Sequence, residues 1–173
     1  VFHGCSLWNN LLQEYWLGQA ERAAAQADQT ILVVGSAQFF EAESKDRYSL
    51  LLPGRQAELV RRCAQAASNA GKPKIVLVVL SGGAIDLSEQ LKDDKVGAIL
   101  WGGYAGMFGG RAIAETIFGD NNPSGRLTQT FYPESFVSQV RMDIMDMHPN
   151  KTTGFPGRTY RFYNGPVVLP FGH

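Results

Sequence analysis

Three short apolar runs constrain this chain more than any other feature. They fall at residues 30–35, Ile75–Leu80 and Val96–Trp101, and each carries β-branched side chains. None alternates with polar residues, so each needs cover on both faces, as a strand inside a parallel sheet does. Helical patterns lie between and before them. Residues 15–28 present Trp16, Leu17 and Ala23 to Ala25, and residues 56–70 place Leu59, Val60, Cys63, Ala66 and Ala67 on one stripe. Pro53-Gly54 opens that second helix and Gly71-Lys72-Pro73 stops it. A short helix near Leu87 to Leu91, a glycine-started helix over 105–118 and an edge strand over 126–131 complete the pattern. Strands alternating with helices predict βαβ units with right-handed crossovers. The expected class is α/β, with a doubly wound, mostly parallel sheet sandwiched by helices.

The remaining sequence bounds the function. From Pro133 onward five prolines and the aromatics Tyr160, Phe162 and Tyr163 interrupt any helical period, so residues 133–173 are expected to form an extended arm. No linker or repeat divides the chain, which reads as a single domain over 1–173. Sixteen Lys and Arg balance sixteen Asp and Glu, which argues against nucleic acid and against an anionic membrane as partners. Val1 to Cys5 lack a signal-peptide pattern, so the chain is expected to start as a mature protein or part-way through a longer one. Cys5 and Cys63 make no disulfide framework, and Cys63 reads as a small core residue. The Met- and Asp-rich stretch at 142–148 is a poor ligand set, and the glycines at 102, 103, 106, 109 and 110 match no nucleotide motif. No metal and no cofactor is therefore expected. Asn150-Lys151-Thr152 is a formal glycosylation sequon and hints at secretion.

Ligands of open parallel sheets bind beyond the carboxyl ends of the strands. That rule selects residues 36–53, with Glu41, Glu43, Asp46 and Arg47; residues 81–86; and residues 101–104, with Trp101 and Tyr104. These are expected to converge on one edge. Each has a plainer reading. Glu41 and Glu43 serve equally well as solvated loop carboxylates, Asp46-Arg47 as a structural ion pair or loop clamp, Ser81 as a turn residue and Trp101 as core.

The order of several motifs is more specific. Glu41-Ala42-Glu43, Asp46-Arg47 and Leu50-Leu51-Leu52-Pro53-Gly54-Arg55-Gln56 are followed by Leu80-Ser81-Gly82-Gly83 and Ala98-Ile99-Leu100-Trp101-Gly102-Gly103-Tyr104. Phe118-Gly119-Asp120-Asn121-Asn122-Pro123-Ser124-Gly125-Arg126-Leu127 and the closing 155–163 and 170–172 segments continue the series. Together they resemble the C-terminal domain of glycoside hydrolase family 3, in its β-xylosidase and α-L-arabinofuranosidase branch, over nearly the whole chain. Local departures occur at Ser36-Ala37, Ala84, Ala105 and Met107-Phe108, near the expected sugar-facing edge.

The resemblance implies that an N-terminal (β/α)8 barrel, absent from this sequence, supplies an aspartate nucleophile, while this domain offers the acid/base glutamate. None of Asp86, Asp120, Asp143 and Asp146 stands in the nucleophile's setting. Counted from Gly35, Glu41 falls where the family places its catalytic glutamate. Phe39 and Phe40 beside it offer an apolar wall, whereas Glu43 is nearer Lys45 and Arg47. Glu43, Trp101 and Tyr104 are then substrate-binding candidates. The implied function is part of a secreted, retaining, exo-acting β-D-xylosidase-like enzyme, acting on O-glycosyl bonds of xylan or xylo-oligosaccharides. The alternatives are a non-catalytic carbohydrate-binding or interaction domain, and a flavodoxin-like domain that binds a small molecule.

Overall fold

The computed structural model describes residues 10–173. Residues 1–9, Cys5 among them, lie outside the described part. In chain order the elements are α1 (Asn10–Gln26), β1 (Ile31–Gly35), α2 (Gln56–Asn69), β2 (Ile75–Leu80), α3 (Ser88–Lys92), β3 (Val96–Trp101), α4 (Gly109–Phe118), α5 (Ser135–Gln139) and α6 (Thr159–Phe162). The chain divides into two compact units. One holds the described residues up to Phe40 together with Leu52–Gly82 and Glu89–Tyr104; the other holds Glu41–Leu51, Gly83–Ser88 and Ala105–His173.

The first unit contains the sheet, in the order β1-β2-β3, with both pairings parallel. This is the α/β class that the alternation of strands and helices predicts. Central β2 is the best buried strand: Ile75, Leu77 and Val79 have no exposed surface. Leu17 and Ala24 of α1 pack with Leu59 and Cys63 of α2, and Ala20 and Leu32 close that core. β1 is an edge strand among the described residues, not the central one its apolar run suggests. Val33 is 60% exposed, because alternation turns it away from the helix-facing side where Leu32 packs.

The end of β1 is locked by its chemistry. Gly35 has φ +144°, and a Cβ there would stand 1.8 Å from the Leu80 carbonyl oxygen. Only glycine lets the two backbones come this close. The Gln56 amide grips Gly35 from the start of α2: Gly35 N–H donates to Oε1 (2.7 Å), and Nε2 donates to the Gly35 carbonyl (2.9 Å). Arginines tie α2 to α1. Arg62 forks onto Glu21 at 2.6 and 2.8 Å and also pairs with Glu14, while Arg55 bridges Glu58 and Glu14.

In the second unit the strand expected over 126–131 is replaced by point contacts. Phe131 forms one antiparallel bridge with Leu169, and Leu127 exchanges hydrogen bonds with residues 172 and 173. The partner stretch contains Pro166 and Pro170, which cannot donate to a ladder, so pairing does not propagate. Residues 133–173 include α5 and α6, and the rings of Tyr132 and Phe136 stack at 4.0 Å with Tyr163 edge-on to both.

Candidate active site

The loop after β1 carries the acidic candidates. Ala42 and Lys45 exchange two backbone hydrogen bonds (3.0 and 2.9 Å), which closes a tight turn with Glu43 and Ser44 at its apex. Ser44 takes a left-handed conformation with φ +62°, and Glu43 is exposed. Glu41 lies at the base of the turn. Its Oε2 accepts a hydrogen bond from Arg47 Nε, and Arg47 Nη2 donates to the Ala84 carbonyl at 3.0 Å. Both side chains are largely covered, with 23% and 12% of their surface exposed. A Cβ at Gly83 would stand 2.9 Å from Arg47 Nη2 and 3.8 Å from Glu41 Oε2, so the bare glycine backbone makes room for the pair.

Two of the three predicted loops therefore meet. Arg47 joins the loop of Glu41 to the loop after β2, and both parts lie in the second unit. The expected Asp46-Arg47 ion pair is corrected: Arg47 pairs with Glu41, six residues back, and Asp46 is exposed. The turn at 42–45 reverses the chain, which brings Glu41 alongside Arg47. The clamp role expected of Arg47 stands, with a different partner.

A second set of contacts fixes the far end of this loop. Glu134 Oε2 accepts from the Leu50 backbone N–H at 2.6 Å and from Ser49 Oγ at 3.1 Å. Asp86 accepts from the Glu134 N–H through Oδ2 at 2.7 Å and from the Ser88 N–H through Oδ1 at 2.9 Å, while the Asp86 N–H donates to the Leu50 carbonyl at 2.7 Å. Sequence reasoning missed Glu134. The partners of its carboxylate are more than eighty residues away and Asp86 is 48 away, and no local pattern marks it.

Trp101 and Tyr104 belong to the first unit. Trp101 Nε1 donates to Ser81 Oγ at 3.0 Å, and Ser81 is fully buried, so its hydroxyl orients the indole. The Tyr104 ring packs over Gly82, where a Cβ would come within 2.7 Å of the ring, and the side chain is 57% exposed. Phe39 is 76% exposed, with its ring edge-on to Phe40 at 5.3 Å. Among the described residues no group of three or more His, Cys, Asp or Glu side chains is placed to hold a metal, and no helix is long and apolar enough to cross a membrane. An open groove of the first unit, about 430 Å³, is lined by Arg61, Gln65, Glu89, Lys92, Asp93 and Lys95. It lies at the start of β3, away from the carboxyl-end loops.

A parallel α/β sheet with functional loops beyond its strand ends defines a wide class of ligand-handling domains. Within that class the chain belongs to the glycosyl hydrolase family 3 C-terminal domain family, whose model matches residues 8–172. A β-xylosidase/α-L-arabinofuranosidase 1 from Medicago sativa subsp. varia is 50% identical over 156 residues, which cover 90% of this chain and 20% of the relative. The β-D-xylosidase 1 of Arabidopsis thaliana is 51% identical over 155 residues, covering 90% and 19%. Among solved structures, a GH3 exo-β-xylosidase (XlnD) in complex with a xylobiose aziridine probe superposes with TM-score 0.84 at 39% identity, covering 91% of this chain and 20% of that one. A β-glucosidase from Kluyveromyces marxianus in complex with glucose gives TM-score 0.71 at 25% identity, covering 92% and 19%. The chain thus spans about a fifth of the length of the curated relatives it matches.

Proposed function

We propose that this chain is the part of a retaining, exo-acting, β-xylosidase-like enzyme that contributes the acid/base carboxylate. Its implied partners are an N-terminal (β/α)8 barrel carrying the nucleophile and a xylan-derived oligosaccharide, and its implied setting is extracellular. The observation that carries the reading is the Glu41 carboxyl, seated by Arg47 against Gly83 and Ala84, in a chain about 50% identical to plant β-xylosidases.

Retaining hydrolysis needs two carboxyl groups about 5–5.5 Å apart. One attacks the anomeric carbon. The other gives a proton to the leaving oxygen and then takes one from the incoming water. In this chain Arg47 holds the Glu41 carboxyl in place, and Glu134 and Asp86 hold the far end of its loop. Trp101 and Tyr104 offer aromatic faces suited to a sugar ring.

A second assignment has its own support. Glu41 is engaged by Arg47, which also clamps the Ala84 carbonyl, and that is the geometry of a loop-fixing contact. Glu43, exposed at the turn apex, then takes the acid/base role and Glu41 is structural. In the full-length enzyme, Glu41→Ala should slow substrates with poor leaving groups by about 10²–10⁴-fold. Activated aryl xylosides should lose less in glycosylation, and azide should restore deglycosylation. That pattern from Glu43→Ala, with Glu41→Ala close to wild type on these measures, moves the role to Glu43. Neither variant showing it removes the acid/base reading of this loop.

A further inference from the structure

The geometry points to a modification site outside the glycosidase reading: we propose that Asn150 is an acceptor for an N-linked glycan. The sequence contains two candidate triplets, and Asn122-Pro123-Ser124 is disqualified by its central proline. Asn150-Lys151-Thr152 is not. It opens an exposed turn over 151–154 that is closed by the Asn150 N–H donating to the Phe155 carbonyl at 2.9 Å.

The orientation of the Asn150 amide follows from its neighbours. The Thr152 and Thr153 N–H groups point at it from 2.9 and 3.4 Å, and two donors require an acceptor, so Oδ1 faces inward. Nδ2, the atom that a glycan modifies, is therefore on the other side of the amide from the turn it supports. The chemistry leaves that turn intact. Nδ2 forms a bond to the anomeric carbon of an oligosaccharide carried on a polyprenyl diphosphate. The carbon–oxygen bond to the diphosphate breaks, one Nδ2 proton is lost, and the polyprenyl diphosphate leaves. Oδ1 is untouched and still accepts from both N–H groups, and one Nδ2–H is retained. Lys151, Thr152, Thr153 and Gly154 are all exposed, so a bulky substituent meets no buried side chain in this turn.

The test is expression of the 173-residue chain behind a secretory leader in an N-glycosylating yeast, with protein taken from both cells and medium. Supplying the leader makes the outcome report the site and not the cellular address. Collecting both fractions keeps a poorly folding variant readable. The expected result is a mass increment at Asn150 that peptide N-glycosidase removes, converting the asparagine side chain to a carboxylate as it does so. The increment should vanish in Asn150→Gln and in Thr152→Ala, and persist in Thr152→Ser. Glycan-bearing and enzymatically trimmed chains should melt together. Unmodified Asn150 in both fractions overturns the proposal, and a glycan-bearing form that melts well below the trimmed one overturns the statement that the chemistry leaves the turn intact.

Discussion

Glu134 shows how much one side chain can organise at a distance. Its carboxylate holds Ser49 and Leu50, and its own N–H is held in turn by Asp86, so three separate stretches are joined through a single residue. Truncation to Glu134→Ala removes the acceptor of the part-buried Leu50 N–H. An orphaned donor of this kind costs about 1–3 kcal/mol. The expected outcome is faster hydrogen exchange at the Leu50 amide and a lower melting temperature, with Glu134→Gln intermediate because it keeps one acceptor oxygen. Unchanged exchange at Leu50 would show that the loop is held by other means. Nothing near Glu134 in the sequence announces this role. The same is true of Arg47, whose partner could be guessed as the adjacent Asp46 but is Glu41, because a turn that the side-chain pattern does not encode brings Glu41 back to it.

Elements were far more legible than contacts, and unevenly so. β2 and β3 fall at the residues their apolar runs define, and α2 ends two residues before its Gly71-Lys72-Pro73 stop signal. Burial writes such a run directly into composition in β2, whereas β3 keeps its apolar run although none of its residues is fully buried. α4 starts at Gly109 instead of 105, where a glycine-rich stretch delays the helix. The strand expected over 126–131 depended on a partner some forty residues away, and long-range pairing leaves no local mark. The α1–α2 contact carries its own pH dependence. Hydrogen bonds from Arg55 and then Arg62 hold Glu14 below its ordinary 4.5, Arg62 does the same for Glu21, and Arg55 for Glu58. Carboxyls lowered on folding bind fewer protons in the native state, so their contribution is present above about pH 4.5 and is lost as pH falls through the lower folded values. Melting temperature should drop below that point, and Glu21→Gln should flatten the drop. An equal acid slope in wild type and variant would remove Arg62–Glu21 from the account.

At the scale of the whole molecule, the chain spans a fifth of its relatives, and the retaining hydrolysis proposed for the longer enzyme needs two carboxyl groups. The purified 173-residue chain is expected to release no nitrophenol from aryl xylosides above a denatured control. Turnover abolished by mutating one of its own aspartates would place the nucleophile here and overturn the two-domain reading. Another property of the molecule follows from the place of Cys63, fully buried in the α1–α2 core with its thiol pushed up to about 11 by that burial. Only the thiolate reacts, and almost none exists at neutral pH while the helices stay docked. An alkylating reagent therefore reaches this sulfur only when the two helices part, and in a Cys5→Ser background the labelling rate becomes a stopwatch for how often the molecule breathes.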